Sequence, residues 1–332
     1  MTGESPGQRQ RSRGQPGDRD RRPTPPPPVP VIHGAHWKWL VIVYFFLGGI
    51  SGAAAAIGGI ERYARPRGPR RIARAARHVA LLAFRPCPIL LVLDLGRPSR
   101  FLNMLRVLKL RSPMSFGSWA LVLFGGVAVA ASARQAAEDG LLPGGPVRQA
   151  ALIPPEAALD AAAVVTGTAV AGYTGVLLAT TAVPLWAKRP GLLGSLFVTS
   201  AFATGAAAVA LADPGRHEVS RFKQAASLAE AAALFAWLNR LGPAGKPLAG
   251  GALGAIVRHG VAGAGVALPL ALNAMGHARS GRMARALTVA SSLLPRAGGY
   301  ALRYALVVGG RASADDPEAT FAFTRSLRDG AP

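Results

Sequence analysis

Acidic residues are scarce in this chain. It has 16 Asp and Glu against 38 Lys and Arg, and charged residues of both signs make up only 16% of its 332 positions. A soluble domain carries about 25% charge, so the shortage points away from a water-soluble globule. Cysteine is scarcer still. The single Cys87 excludes a disulfide framework within the chain and a self-held iron–sulfur cluster, which takes about four Cys or Cys/His ligands. Histidines do not make up the deficit. A two-haem cytochrome b pairs four histidines within its helices, whereas His33, His36, His78 and His217 fall at span ends or in loops, and His259 and His277 stand singly. No metal site and no covalently held cofactor is therefore expected. The net charge of +22 invites a nucleic-acid reading. Yet the bases lie in the gaps between apolar runs, and no helix-turn-helix, zinc-finger or RNA-binding-sheet pattern is present.

What the chain has in abundance is apolar sequence, half of all residues. Residues 1–35 are set apart as an Arg- and Pro-rich tail ("RRPTPPPPVP"); such a composition cannot bury a core and is expected to be disordered. The tail lacks the apolar stretch and small-residue cleavage site of a signal peptide. Beyond it, a span needs about 20 mostly apolar residues to cross ~30 Å of hydrocarbon. Residues 39–60, 112–133, 161–187 and 190–212 meet that length without a single charge. Four weaker spans are 78–95 with Arg85, 222–241 with Glu230, 247–276 with Arg258, and 284–310 with Arg296 and Arg303. The expectation is an all-α integral membrane protein of eight transmembrane helices in two four-helix bundles, over residues 36–310. A polar C-terminal tail, 311–332, follows. The spans are rich in Ala and Gly, which let helices approach closely in lipid; Gly48 and Gly52 form one small-xxx-small pair. Loop Lys and Arg normally set orientation, but here they divide evenly between the two sides once the far tail is set aside, so neither face is chosen.

One stretch stands out, "LDLGRPSRFLNMLRVLKLRSPMSFGSW", Leu93 to Trp119. Asp94 closes a weak span, Gly96 suits a left-handed helix end, and Pro98 fits the first turn of a new helix. Phe101, Leu102, Leu105 and Leu108 recur at helical spacing with Arg100, Asn103, Arg106 and Lys109 on other faces, the pattern of a short interfacial helix. Ser112 and Pro113 then read as cap and first turn of the next span.

That stretch closely resembles the signature of the NrfD/PsrC family, membrane subunits of bacterial respiratory oxidoreductases, with its "DLGRP-x-RF-x-x-ML" run followed by "SPMS-x-GSW". Further stretches look like the family's spans in the same order: "HWKWLVIVYFFLGGISG" (36–52), "YTGVLLATTAVPLW" (173–186), "LFVTSAFATGAA" (196–207) and "GGYALRYALVVGGRASADDP" (298–317). The resemblance implies eight helices, no haem or metal in this subunit, and a quinone or quinol site near one membrane face of the cell membrane. It also implies a docked iron–sulfur partner, a ferredoxin-like subunit of four clusters that connects to a catalytic oxidoreductase subunit. On the same resemblance Tyr173 and Thr174 of "YTG" belong at the quinone ring, with Asp94 and His36 at the proton-exchanging end. Arg97, Arg100 and Arg106 would form the docking rim.

The residues also carry an argument of their own. Quinol oxidation releases two electrons and two protons, so its site needs a hydrogen-bonding acceptor with a route to water, and a partner must take the electrons. His36 and Asp94 lie on one membrane side if all eight spans hold. A charge inside a span costs ~2.5–3.5 kcal/mol at the helix centre on insertion scales, so it usually faces the bundle interior or water. Glu230 is the only carboxylate well inside a span. Arg85, Arg258, Arg296 and Arg303 are its candidate counter-charges, unless they snorkel to headgroups. Two other functions fit the same spans. One is a structural anchor without quinone chemistry; the other is a secondary transporter, which also has buried charges and Gly/Pro-broken helices.

Overall fold

In hydrocarbon every backbone N–H and C=O must be paired within its own segment, which leaves helices as the way for these apolar runs to fold. The structure, a computed structural model, describes residues 39–96, 98–109, 112–213, 217–277 and 281–328. All regular structure among them is helical. The first half comprises α1 (Trp39–Ala64), α2 (Arg71–Phe84), α3 (Pro86–Leu95), α4 (Pro98–Leu105), α5 (Pro113–Glu138), α6 (Pro146–Leu152) and α7 (Glu156–Ala179). The second comprises α8 (Pro184–Ala187), α9 (Pro190–Ala212), α10 (His217–Leu238), α11 (Lys246–Ala249), α12 (Gly251–Ala255), a π-helix (Ile256–Ala267), α13 (Leu268–His277), α14 (Gly281–Ala314) and α15 (Pro317–Arg328).

Among the described residues, six helical stretches are long and apolar enough to cross a membrane: Trp39–Ala64, Arg71–Leu95, Pro113–Glu138, Glu156–Ala179, Pro190–Ala212 and Gly251–Gly276. The remaining two expected spans are helices of sufficient length, α10 and α14, but carry ionisable residues among their apolar ones.

The first span in sequence becomes the centre of the molecule. α1 packs on α2, α3, α7, α9 and α14, and is buried along most of its length. Close approach explains its glycines. A methyl group on Gly52 would strike the Gly167 carbonyl of α7, and one on Gly167 would strike that of Gly52. Gly48, the other half of the expected small-residue pair, faces open space instead.

Several boundaries differ from the sequence expectation for identifiable reasons. The second span begins at Arg71 rather than 78, because Arg77 is neutralised inside the fold, as described below. It then breaks after Arg85, where Pro86 and Pro88 provide no amide hydrogens. The span expected over 247–276 contains a twelve-residue π-helix, a rare form that is frequent at functional sites. Its Gly265 lies backbone to backbone on Gly298 of α14, where neither position has room for a Cβ. The C-terminal segment is not a plain polar tail: α14 continues to Ala314, and α15 follows with Ala319 and Thr320 buried and Phe321 exposed.

One end of the helix assembly is closed by ion pairs. Arg77 of α2 is buried and donates to Asp160 of α7 at 2.8 Å and to Glu156 at 3.3 Å. Around it lie Arg70–Glu156 at 2.8 Å, Arg70–Glu138 at 2.9 Å, Arg74–Asp139 at 2.6 Å and Arg134–Glu138 at 3.1 Å. These pairs clamp the start of α2 and α7 to the end of α5. At the other end, the α7–α9 connection is pinned by Trp186, fully buried, whose indole N–H donates to the Leu306 carbonyl of α14 at 2.9 Å. Gly310 leaves the room the indole occupies.

Candidate functional site

The rim segment folds by local chemistry. Gly96 ends α3 in the left-handed region at φ 69°, the conformation glycine adopts without strain. Pro98 opens α4. Ser112 caps α5, its hydroxyl accepting from the Ser115 amide at 3.5 Å, with Pro113 in the first turn. Ser115 ties the preceding loop back onto the helix, donating to the Val107 carbonyl at 3.0 Å and accepting from the Lys109 amide at 3.0 Å. The "SPMS" run is thus a clamp holding the basic loop over the end of α5.

Tyr173 of α7 enters beneath that clamp. Its hydroxyl donates to the Pro113 carbonyl at 2.7 Å, and its ring lies where any side chain on Gly117 would be. Phe116 packs tilted on it, with centroids 6.1 Å apart. The adjacent Thr174 is buried, and its hydroxyl has no hydrogen-bond partner among the described residues. Tyr44 of α1 and Cys87 of α3 complete this apolar neighbourhood, both buried and within electrostatic reach of each other. Tyr44 is likewise within electrostatic reach of Tyr173. Neither was singled out as a site residue from sequence, because a tyrosine in "VYFF" and a lone cysteine carry no spacing signal. Asp94 stands in the last turn of α3, partly buried. Arg106 is exposed just beyond α4. His36 and Arg97 lie outside the described residues, as does the side chain of Arg100.

A second polar set lies deep between α9, α10 and α14. Glu230 and Arg303 are both buried, and Ser200 of α9 stands between them. The Arg303 guanidinium donates to the Ser200 hydroxyl at 2.9 Å and to the Gly299 carbonyl at 2.8 Å. Ser200 is also in hydrogen-bonding reach of the Glu230 carboxyl. Gly49 of α1 leaves space for the guanidinium, which lies over the rings of Phe46 and Phe197 at 5.9 and 5.6 Å. Its Nε and Nη2 make no hydrogen bond among the described residues. Of the four arginines weighed as counter-charges, Arg303 is the one placed at Glu230; Arg85 and Arg258 face outward.

Sequence reasoning missed Lys223, which is fully buried two turns before Glu230 on the same face of α10, with buried Ser227 between them. Its ammonium meets Ser291 Oγ at 2.9 Å, Ser292 Oγ at 3.1 Å and the Ser291 carbonyl at 3.3 Å. Ser291 Oγ in turn donates to Asn273 Oδ1 at 2.9 Å. The i, i+4, i+7 recurrence of Lys, Ser and Glu was the available signal. Among the described residues no group of three or more His, Cys, Asp or Glu is placed to hold a metal ion.

Apolar helices of spanning length, with their few buried charges turned inward, define a multi-pass membrane protein. The chain belongs to the polysulphide reductase NrfD family, whose model matches residues 31–314. Members of this family are membrane subunits of oxidoreductase complexes. No curated protein matches the chain.

Proposed function

We propose that the chain is the membrane-anchoring, quinone- or quinol-interacting subunit of a respiratory oxidoreductase in the cell membrane, built as eight spans. It exchanges electrons between the quinone pool and a docked iron–sulfur subunit, which passes them to or from a catalytic subunit. The observation that carries this reading is the corner at Tyr173 and Thr174. It brings together a buried Thr174 hydroxyl with no hydrogen-bond partner among the described residues and the aromatic side chains of Tyr44, Tyr173 and Phe116. A buried hydroxyl left unpaired is uncommon, and a quinone carbonyl oxygen is the acceptor it lacks. Asp94 at the rim supplies the other requirement, a carboxylate with access to water. On oxidation the quinol would lose two protons towards Asp94 and two electrons to the partner's cluster; reduction is the same exchange reversed. Arg97, Arg100 and Arg106 are the bases in this reading that an acidic partner surface would meet.

The test is Asp94→Asn, which keeps shape and removes charge. Quinone-linked electron transfer by the assembled complex should fall at least tenfold, about 1.4 kcal/mol in barrier, while dye-linked activity of the catalytic partner persists. Unchanged quinone turnover in an assembled variant makes Asp94 a helix end only. Absence of quinone binding by the wild-type complex would favour a structural anchor.

A further inference from the structure

The two ends of α1 face different chemistry, and its middle borders a groove that the Tyr173 corner does not share. This groove, about 610 Å³, runs between α1, α2, α9 and α14 and is walled by Phe46, Leu47, Val79, Leu82, Tyr300 and Arg296. Apart from the last two, its lining is apolar. Arg296 is partly buried, and no ion pair or hydrogen bond joins it to another described residue. The Tyr300 hydroxyl likewise has no hydrogen bond among them, while its ring stands edge-on to Phe46 with centroids 5.7 Å apart.

Depth narrows what can meet that guanidinium. α14 is 34 residues long, about 51 Å at 1.5 Å per residue. Arg296 lies about 22 Å from its start and about 27 Å from its end by the same rise, so in a membrane-crossing α14 it sits near the middle. A cation there is costly and is normally matched by a partner. Phospholipid phosphates lie about 15 Å away, at the edge of a ~30 Å hydrocarbon core. The matching molecule must therefore carry its acceptor oxygens within the hydrocarbon, on a long apolar body. A quinone ring with its isoprenoid tail has that form.

We propose that this groove binds the head group of an isoprenoid quinone, with Arg296 and Tyr300 donating to one carbonyl oxygen, as a second position separate from the Tyr173 corner. The assignment rests on the reading that the chain works with the quinone pool. The groove also backs onto the buried charges. Phe46 separates its interior from Arg303, whose guanidinium carbon is 5.9 Å from the ring centroid. A head group here would thus meet Arg296 in the groove and have the Arg303 guanidinium behind the Phe46 ring, a setting that favours electron-rich carbonyl oxygens.

The experiment is photolabelling of the purified complex in liposomes with an azidoquinone bearing an isoprenoid tail, followed by peptide mapping. Label is expected on α14 between Leu293 and Tyr300 as well as around Tyr173. Arg296→Leu should lower the α14 label at least tenfold and leave the label around Tyr173 unchanged, with Arg296→Lys retaining part of it. If Arg296→Leu does not assemble, Tyr300→Phe, which removes one hydroxyl, should lower the α14 label severalfold. Label around Tyr173 alone, an unchanged α14 label in Arg296→Leu or in Tyr300→Phe, or displacement of the α14 label by cardiolipin but not by unlabelled quinone would each overturn the groove site and leave the Tyr173 corner standing. Absence of label from both regions would overturn the proposed function with it.

Discussion

The Lys223 ammonium occupies a carbonyl, that of Ser291 at 3.3 Å, which the helix itself cannot use. Four residues on stands Pro295, inside α14, and proline has no N–H to return to that oxygen. The vacancy in the helix ladder and the buried amine complete each other. Ser291 Oγ and Ser292 Oγ accept the remaining two ammonium hydrogens, because their own hydrogens have acceptors at Asn273 Oδ1 and the Thr288 carbonyl.

This pairing predicts a specific coupling. Lys223→Met leaves buried acceptors unsatisfied and should cost about 1–3 kcal/mol, read as a lower melting temperature in detergent. Pro295→Ala restores an amide to the Ser291 carbonyl, so the double variant should be more stable than Lys223→Met alone. Simple additivity of the two changes would contradict the arrangement.

Gly117 should be the least replaceable position of the "SPMSFGSW" run. A methyl group there overlaps the Tyr173 ring, and overpacking of this kind typically costs about 1–3 kcal/mol. Tyr173→Phe loses only the hydrogen bond to Pro113, about 0.5–1.5 kcal/mol net. Gly117→Ala should therefore melt below Tyr173→Phe and, on the proposed function, raise the KM for quinol more. Wild-type stability and KM in Gly117→Ala would show that the ring is not confined as described.

Glu230 and Arg303 should behave as a unit. Removing one member of a buried pair strands the other charge and costs about 3–5 kcal/mol, so Glu230→Leu should reduce the folded yield in membranes sharply. Adding Arg303→Met removes the stranded charge and should recover most of that yield. A double variant no better than the single would mean that the two charges are neutralised by something else.

What was legible in the sequence was chiefly what is local. Gly96, Pro98, Ser112 and Pro113 act within a turn of themselves, so their roles could be read from residue type and neighbours. The apolar runs announce helices because hydrocarbon leaves the backbone no alternative. Arg77 and Asp160 are a different matter: 83 positions separate the partners, and nothing in either segment names the other. Lys223 was hidden because average hydropathy over a span does not distinguish a charge on the buried face from one near the end. Tyr44 entered the corner through α1's central packing, which residue spacing does not encode.

The central place of α1 has a consequence for biogenesis. α1 is made before the helices that cover it and carries no charge before Glu61, so it can rest in lipid on every face until they arrive. α10 has no such freedom. Its Lys223 and Glu230 find their partners on α14, at Ser291, Ser292 and Arg303, which the ribosome delivers some seventy residues later. Entry of α10 into lipid alone would expose both charges to hydrocarbon, so the two helices have to move out of the insertion machinery together. A helix synthesised later therefore decides when the middle of the chain can leave for the bilayer.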